Sequence, residues 1–350
     1  MEGLNKILLV RKDNIGDLVC TTPALRALRR RYPRARIGLL TNSYAAPVVE
    51  GNPDVDDLYV YTKEKHSGRG RLAALTANAA VMMRIRRARY DVALGCGSWS
   101  PSLARYVLLT GAPVRIGYRR GGGGRLCYTT RLAEPQEPLH EVEKTFRLLA
   151  PLGIEGEPGP MVLAADEEER RRCASFLTAR GRRGSRPLFA VSISARIDRN
   201  RWPIEKFATL IEEIAEKGLA DVMVLWAPGR SDDPRFPGDD EKAQRLVALC
   251  GPPVFALPTP TLKSLAAALS LSDLVVTLDT GSLHMAAALG KPVAALMTRA
   301  KSLAWRPWKT RAAVVAAPES VETITVEEVM EAVTGLAEEA FEGSAVETGP

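Results

Sequence analysis

The chain of 350 residues reads as an α/β protein built from two doubly wound parallel-sheet domains, on three observations. Short apolar runs alternate with amphipathic stretches along almost all of it, the pattern of repeated βα units. The alternation breaks at one Pro/Gly-rich stretch, IEGEPGPM (154–161), and then starts again. The length is too great for one ordinary core and suits two of similar size. The expected organisation is a domain over 1–158, a second over 159–322, and a terminal helix with a flexible tail over 323–350.

The elements follow in order. KILLV (Lys6 to Val10) is a short apolar run that fits a buried parallel strand. RKDNIGD is a polar loop with one glycine. TTPALRALRRRYP reads as a helix, with Thr22 as a cap, Pro23 in the first turn and Pro33 as its stop; Ala24, Leu25, Leu28 and Tyr32 share one face. ARIGLLT is a strand, SYAAPVVEGNP a short helix ending in a turn, and DDLYVY a strand. A basic helix runs from about Leu72 to Arg89 and leads to the strand YDVALGC. Gly121 to Gly124, flanked by arginines, suit neither helix nor strand and are expected as a mobile loop. PLHEVEKTFRLLAPLG forms a helix.

In the second half LFAVSIS, DVMVLWAP, VFALP, DLVVTLDTG and PVAALM read as strands. RWPIEKFATLIEEIAEKG, DDEKAQRLVALC, TLKSLAAALSLS and SLHMAAALG read as helices. Thr325 to Glu342 is an acidic amphipathic helix, and GSAVETGP is a disordered tail.

The composition, 46% hydrophobic and 25% charged, is ordinary for a globular protein. No uncharged apolar run reaches the roughly 18 residues that span a bilayer. The N-terminal apolar run stops at Val10, too short for a signal peptide. A cytoplasmic location is expected. The five cysteines (Cys20, Cys96, Cys127, Cys173, Cys250) form no CxxC pair, and only His66, His140 and His284 could add imidazole, so a zinc or redox site is not expected. The net charge of +7 is uneven: residues 1–160 hold 25 Lys/Arg against 15 Asp/Glu, and the remainder 23 against 26. A basic first half suits an anionic partner: nucleic acid, an acidic membrane face or a phosphorylated glycolipid. Ordinary solvated surface explains it equally well.

Ligands in doubly wound sheets bind beyond the carboxyl ends of the strands, and two such domains offer one central cleft. Four loops are placed for it. In the first βα loop Asp17 could take a proton from a hydroxyl, or simply cap the helix. That loop has neither GxGxxG nor GxxxxGK[ST], which disfavours a dinucleotide and excludes a P-loop. Asp279-Thr280-Gly281-Ser282-Leu283-His284 runs from an apolar strand into a helix, whose free N–H groups suit a diphosphate; capping, with His284 in the core, is the plain alternative. In SISARIDRNRWP, Ser194 ends a strand and Arg196, Arg199 and Arg201 precede a helix, cations suited to a leaving diphosphate or to solvent. WAPGRSDDPRFPGDDEK is an acidic loop whose carboxylates could accept ribose hydroxyls.

These residues resemble glycosyltransferase family 9, the ADP-heptose:lipopolysaccharide heptosyltransferases, which have the GT-B fold. The stretches that carry the resemblance lie within residues 5–320. The most specific are KILLVRKDNIGDLVCTTPALRALRRRYP and LVVTLDTGSLHMAAALGKPVAALM; VRIGY, LHEVEKTFRLLAPLG, the RWP helix and LWAPGRSDDP…GDDEKA add to them. The resemblance implies an inverting transfer without a cofactor or metal. Asp17 matches the family's proposed catalytic base. Asp279, Thr280, Gly281 and His284 match the motif that holds the donor's pyrophosphate and sugar. Asp239 and Glu241 fall near the residue that contacts the donor ribose, and Thr261 near the adenine-contacting segment. Asn200 stands where the family usually has a lysine, with Arg199 and Arg201 beside it. The implied partners are a nucleotide-sugar donor and an anionic glycolipid at the cytoplasmic membrane face, with Arg119, Arg120 and Arg125 as candidate acceptor contacts. The implied location is cytoplasmic and peripheral to that face.

Two other readings stand beside this one. Another GT-B nucleotide-sugar enzyme, such as a 2-epimerase, would need no acceptor. A non-catalytic nucleotide-sugar-binding protein would explain Asn200 but not the retained Asp17. A nucleic-acid binder is disfavoured because the basic half lacks interleaved aromatics.

Overall fold

A computed structural model of the chain describes residues 3–63, 71–233 and 237–341. His66 and the tail 343–350 lie outside the described residues. The chain divides into two compact units, Met1–Ala164 and Ala165–Pro350.

The first unit runs β1 (Lys6–Arg11), α1 (Ile15–Val19), α2 (Thr22–Arg31), β2 (Arg36–Asn42), β3 (Asp57–Tyr61), α3 (Arg71–Ala88), β4 (Val92–Cys96), α4 (Pro101–Leu109), β5 (Val114–Arg119), β6 (Thr130–Ala133) and α5 (Glu141–Phe146). Its six strands pair in parallel in the order β3-β2-β1-β4-β5-β6. β1 is central, so Ile7 to Val10 are buried on both faces, which is why the run shows no polar alternation. α2 lays Ala24, Leu25 and Leu28 against the sheet, and each leucine contributes about 2 kcal/mol of apolar burial. Tyr32 is buried beyond the helix end, its hydroxyl donating to the carbonyl of Leu152 at 2.8 Å.

The ring of Tyr128 lies over two glycines of neighbouring strands. A Cβ at Gly95 would come within 2.7 Å of the Tyr128 hydroxyl, and one at Gly117 within 2.3 Å of the ring. The same ring and that of Trp99 also press on the glycine run: a Cβ at Gly123 would meet Trp99 at 2.5 Å and one at Gly124 would meet Tyr128 at 2.8 Å, whereas Gly121 and Gly122 face open space.

The second unit runs α6 (Glu167–Ala179), β7 (Leu188–Ser192), α7 (Ile204–Glu216), β8 (Asp221–Trp226), α8 (Asp240–Leu249), β9 (Phe255–Pro258), α9 (Leu262–Leu271), β10 (Leu274–Leu278), α10 (Gly281–Ala288), β11 (Val293–Thr298), α11 (Arg299–Trp305), β12 (Ala312–Ala317) and α12 (Val326–Phe341). Its strands, again all parallel, lie in the order β12-β11-β10-β7-β8-β9. Numbered from its own first strand, this is the order of the first unit. Each sheet therefore reverses direction between its first and fourth strands, β1 and β4 in one unit, β7 and β10 in the other. That switch point is where doubly wound sheets bind ligands.

Several local expectations change. SYAAPVVEGNP holds only a short 3-10 turn, Ala46–Val48. The Asn42 carboxamide oxygen accepts the N–H groups of Tyr44 and Ala45, each at 3.1 Å, and this local pairing competes with a helix. The cap of α2 falls on Thr21, one residue earlier than expected. α5 passes after Phe146 into a 3-10 segment, Arg147–Leu152. Pro151 has no N–H to continue the α-helix, and Gly153 closes the segment at φ +74°.

Candidate active site

β1 delivers Arg11 to its carboxyl end with 1% of its side chain exposed. A buried guanidinium needs charge and hydrogen bonds around it. Nη2 donates to Asp17 Oδ1 at 2.6 Å and to Glu141 Oε1 at 2.8 Å, and Nη1 donates to Thr145 Oγ1 at 3.2 Å. Asp13 Oδ2 lies 3.1 Å from Nε as an ion pair without an aligned hydrogen bond. Burial alone would lower the Arg11 pKa, but Glu141, Asp17 and Asp13 more than reverse this and keep the group charged. Burial pushes the Asp13 carboxyl up, Arg11 opposes it, and Asp17 adds to it.

Asp17 is 15% exposed. Its second oxygen accepts the N–H of Asn14 at 3.0 Å, across the first turn of α1. One carboxylate thus closes the turn and meets the buried arginine. Each oxygen has one protein partner here, and a carboxylate has about four acceptor positions. The remainder can receive a hydroxyl proton.

In the second unit α10 starts at the carboxyl end of β10. Thr280 occupies its N-cap position without a side-chain cap. Instead the Ser282 hydroxyl is a hub, 2.7 Å from Thr277 Oγ1, 2.8 Å from Thr280 Oγ1 and 3.2 Å from Ser192 Oγ. Ser192 comes from β7, so this network spans the switch point. Asn200 is 3% exposed, and its Nδ2 donates to Asp279 O at 3.1 Å and Asp279 Oδ2 at 3.3 Å. Burial raises the Asp279 carboxyl above its ordinary value, against the pull of Lys301, Asn200 and Arg199. His284 is 3% exposed, its ring edge-on to Trp305 at 5.7 Å.

The remaining candidates spread along the same edge of this sheet. The Ser194 hydroxyl accepts the N–H of Ala227 at 3.0 Å. Arg201 is held by Asp198 at 2.6 Å and donates to the Ala195 carbonyl at 3.1 Å, while Arg199 is exposed. Asp239 is buried and pairs with Lys242; Glu241 is exposed and accepts from Ser231 at 2.8 Å. Both lie two strands from the Asp279 turn. Between them Asp240 accepts from Trp226 Nε1 at 2.7 Å and from Gly229 N at 2.9 Å, tying the start of the acidic loop to α8. Thr261 is exposed and caps α9, accepting from Ser264 N at 3.0 Å. In the first unit Arg119 ends β5, and Arg120 and Arg125 flank the glycine run; all three are exposed.

Sequence reasoning did not single out Arg11, Glu141, Thr145, Ser192, Thr277 or Asp240. The available signal was an arginine closing an otherwise apolar strand. Cys20, Cys96 and Cys173 are buried free thiols, and burial pushes Cys96 up to about 12, so that thiol stays protonated. Among the described residues no group of three or more His, Cys, Asp and Glu is arranged to hold a metal ion, and no helix is long and apolar enough to cross a membrane.

Residues 79–332 match the model of glycosyltransferase family 9 (heptosyltransferase), more than two thirds of the chain. The chain belongs to glycosyltransferase family 9. A lipopolysaccharide heptosyltransferase 3 from Escherichia coli is 25% identical over 300 residues, covering 84% of this chain and 83% of that one. Among solved structures, a glycosyl transferase family 9 protein from Veillonella parvula DSM 2008 has a TM-score of 0.85 at 22% identity, covering 97% and 99% of the two chains. E. coli heptosyltransferase WaaC with ADP has a TM-score of 0.74 at 19% identity, covering 95% and 99%. The family 9 chain described here is accordingly a glycosyltransferase, with the paired Rossmann-type sheets of the GT-B fold.

Proposed function

We propose that this family 9 enzyme transfers a heptose or related sugar from an ADP-sugar to a lipopolysaccharide-core type of glycolipid, with inversion and without a metal. The name of the E. coli relatives and the ADP bound in WaaC support the substrate classes. The observation that carries the reaction is the Asp17 carboxylate, fixed at the sheet's switch point by Arg11 and the Asn14 N–H with acceptor positions to spare.

In this reading Asp17 takes the proton of an acceptor hydroxyl. The hydroxyl oxygen bonds to the anomeric carbon while the bond to the β-phosphate oxygen breaks on the opposite side. ADP leaves with that electron pair. The N-terminal turn of α10, with the hydroxyls of Thr280 and Ser282, receives the charge that builds on the diphosphate. His284 and Asp279 complete the donor site, with Ser194, Arg199, Arg201, Asp239, Glu241 and Thr261 toward the nucleotide. Arg119, Arg120 and Arg125 meet acceptor phosphates. The enzyme works in the cytoplasm, against the inner membrane face.

The test is a transfer assay with ADP-heptose, a phosphorylated lipopolysaccharide-core acceptor and excess chelator. A β-linked donor sugar should appear in the product with inverted configuration, at a rate the chelator does not change. Consumption of donor to an epimer without acceptor would overturn the reading, and a rate abolished by chelator would overturn its metal-free part.

A further inference from the structure

Arg11 carries one positive charge and is in contact with three carboxylates, from Asp13, Asp17 and Glu141. One guanidinium thus faces three carboxylates, of which those of Asp17 and Glu141 are largely buried. Glu141 is drawn from α5 and is itself almost buried. It shares the nitrogen Nη2 with Asp17, each accepting one of its two N–H groups at nearly the same distance. A private Arg11–Asp17 pair would hold Asp17 firmly as a spent anion and make it a poor proton acceptor. We propose that Glu141, and more weakly Asp13, are positioning residues that divide the charge of Arg11 and so leave Asp17 able to take the acceptor's proton. This rests on the reading of Asp17 as the base.

The other groups that face the cluster do not substitute for Glu141. Thr145 is neutral and meets the other guanidinium nitrogen. Cys20 and Cys96 are buried thiols held protonated. Lys12 and Lys63 act on Asp13, the most exposed of the three carboxylates, and as cations they cannot take a share of the Arg11 charge.

The experiment is the pH profile of kcat/KM for the full chain and for Glu141→Gln, which keeps the shape and an accepting oxygen but removes the charge. The acid limb should move to lower pH, because Asp17 then has Arg11 more to itself, and the plateau should fall severalfold. Asp13→Asn should do the same to a smaller extent, and it serves alone if Glu141→Gln does not fold. Thr145→Val, which removes a neutral partner of the same guanidinium, should leave the limb in place. The 13C titration of the Asp17 carboxyl in ligand-free protein should follow the limb. A Glu141→Gln profile that superimposes on the parent, or an equal displacement in Thr145→Val, overturns the inference and leaves the Asp17 reading standing. If Asp17→Asn transfers sugar at the parental rate, the reading itself fails, and the 13C titration then decides the charge sharing alone.

Discussion

The loop after β1 and the turn after β10 each flank the switch point of their own sheet, the one following a first strand and the other a fourth, and they are built from opposite chemistry. The first is dense in charge: a buried guanidinium among three carboxylates. The second is dense in neutral hydroxyls around Ser282, at the start of a helix. The fold supplies the location in both, and the side chains set the task. Fixed charge around a carboxylate suits proton transfer, where the strength of a base matters. Hydroxyls and free N–H groups suit a diphosphate, which brings its own charge and needs donors that cost little to desolvate.

This contrast is most sharply tested at Asp17. Asp17→Asn should lower turnover by about a thousandfold, within the range of general-base removal, while ADP-sugar affinity measured by calorimetry stays near parental. An equal loss in both would mean that the two loops do not divide the work.

The donor side should respond in the reverse sense. His284→Ala should weaken ADP-sugar binding on the order of tenfold, about 1.4 kcal/mol, and an unaltered dissociation constant would remove His284 from the donor site. Asn200→Ala, which frees the Asp279 carbonyl and carboxylate, should weaken donor binding about threefold, as loss of one net hydrogen bond does. Donor binding equal to the parent's would confine Asn200 to a structural part.

The smallest effect is on stability. Burial raises the Asp279 carboxyl, so ionising it costs the folded state more than the unfolded one. That cost is absent below the ordinary carboxylate range and complete above the raised value. Ligand-free Asp279→Asn should therefore melt slightly above the parent at pH 7 and converge with it in acid. A difference independent of pH would assign the effect to packing.

The two loops were also unequally legible in the sequence. The Asp279 turn could be found because an apolar strand runs straight into a small-residue helix, and both bracket the motif within a few positions. Asp17 could be found by place, but not its surroundings: Glu141 reaches Arg11 across 130 residues of sequence, and an arginine after an apolar run reads as surface until the fold buries it. Thr261 shows the converse, a residue whose visible work is to cap a helix. Among the elements, the second unit's early strands were clear from their apolar runs. β6 is four residues with half its side chains exposed, and β12 is an alanine-rich edge strand, so neither shows alternation. α4 and α6 were missed although Ser100 and Asp166 cap them with side-chain hydrogen bonds, a signal open to a closer reading of the caps.

The seating of Tyr128 and Trp99 on the glycine run has a consequence for how this enzyme could change. Gly123 and Gly124 are held against the rings and cannot grow, and Gly121 sits at φ +57°, where a side chain is strained. Gly122 alone among the four has both open space and an unrestricted backbone angle. It is a vacant mount between Arg120 and Arg125, where one codon change could add a charge, a ring or a hydroxyl while the rest of the loop stays in place.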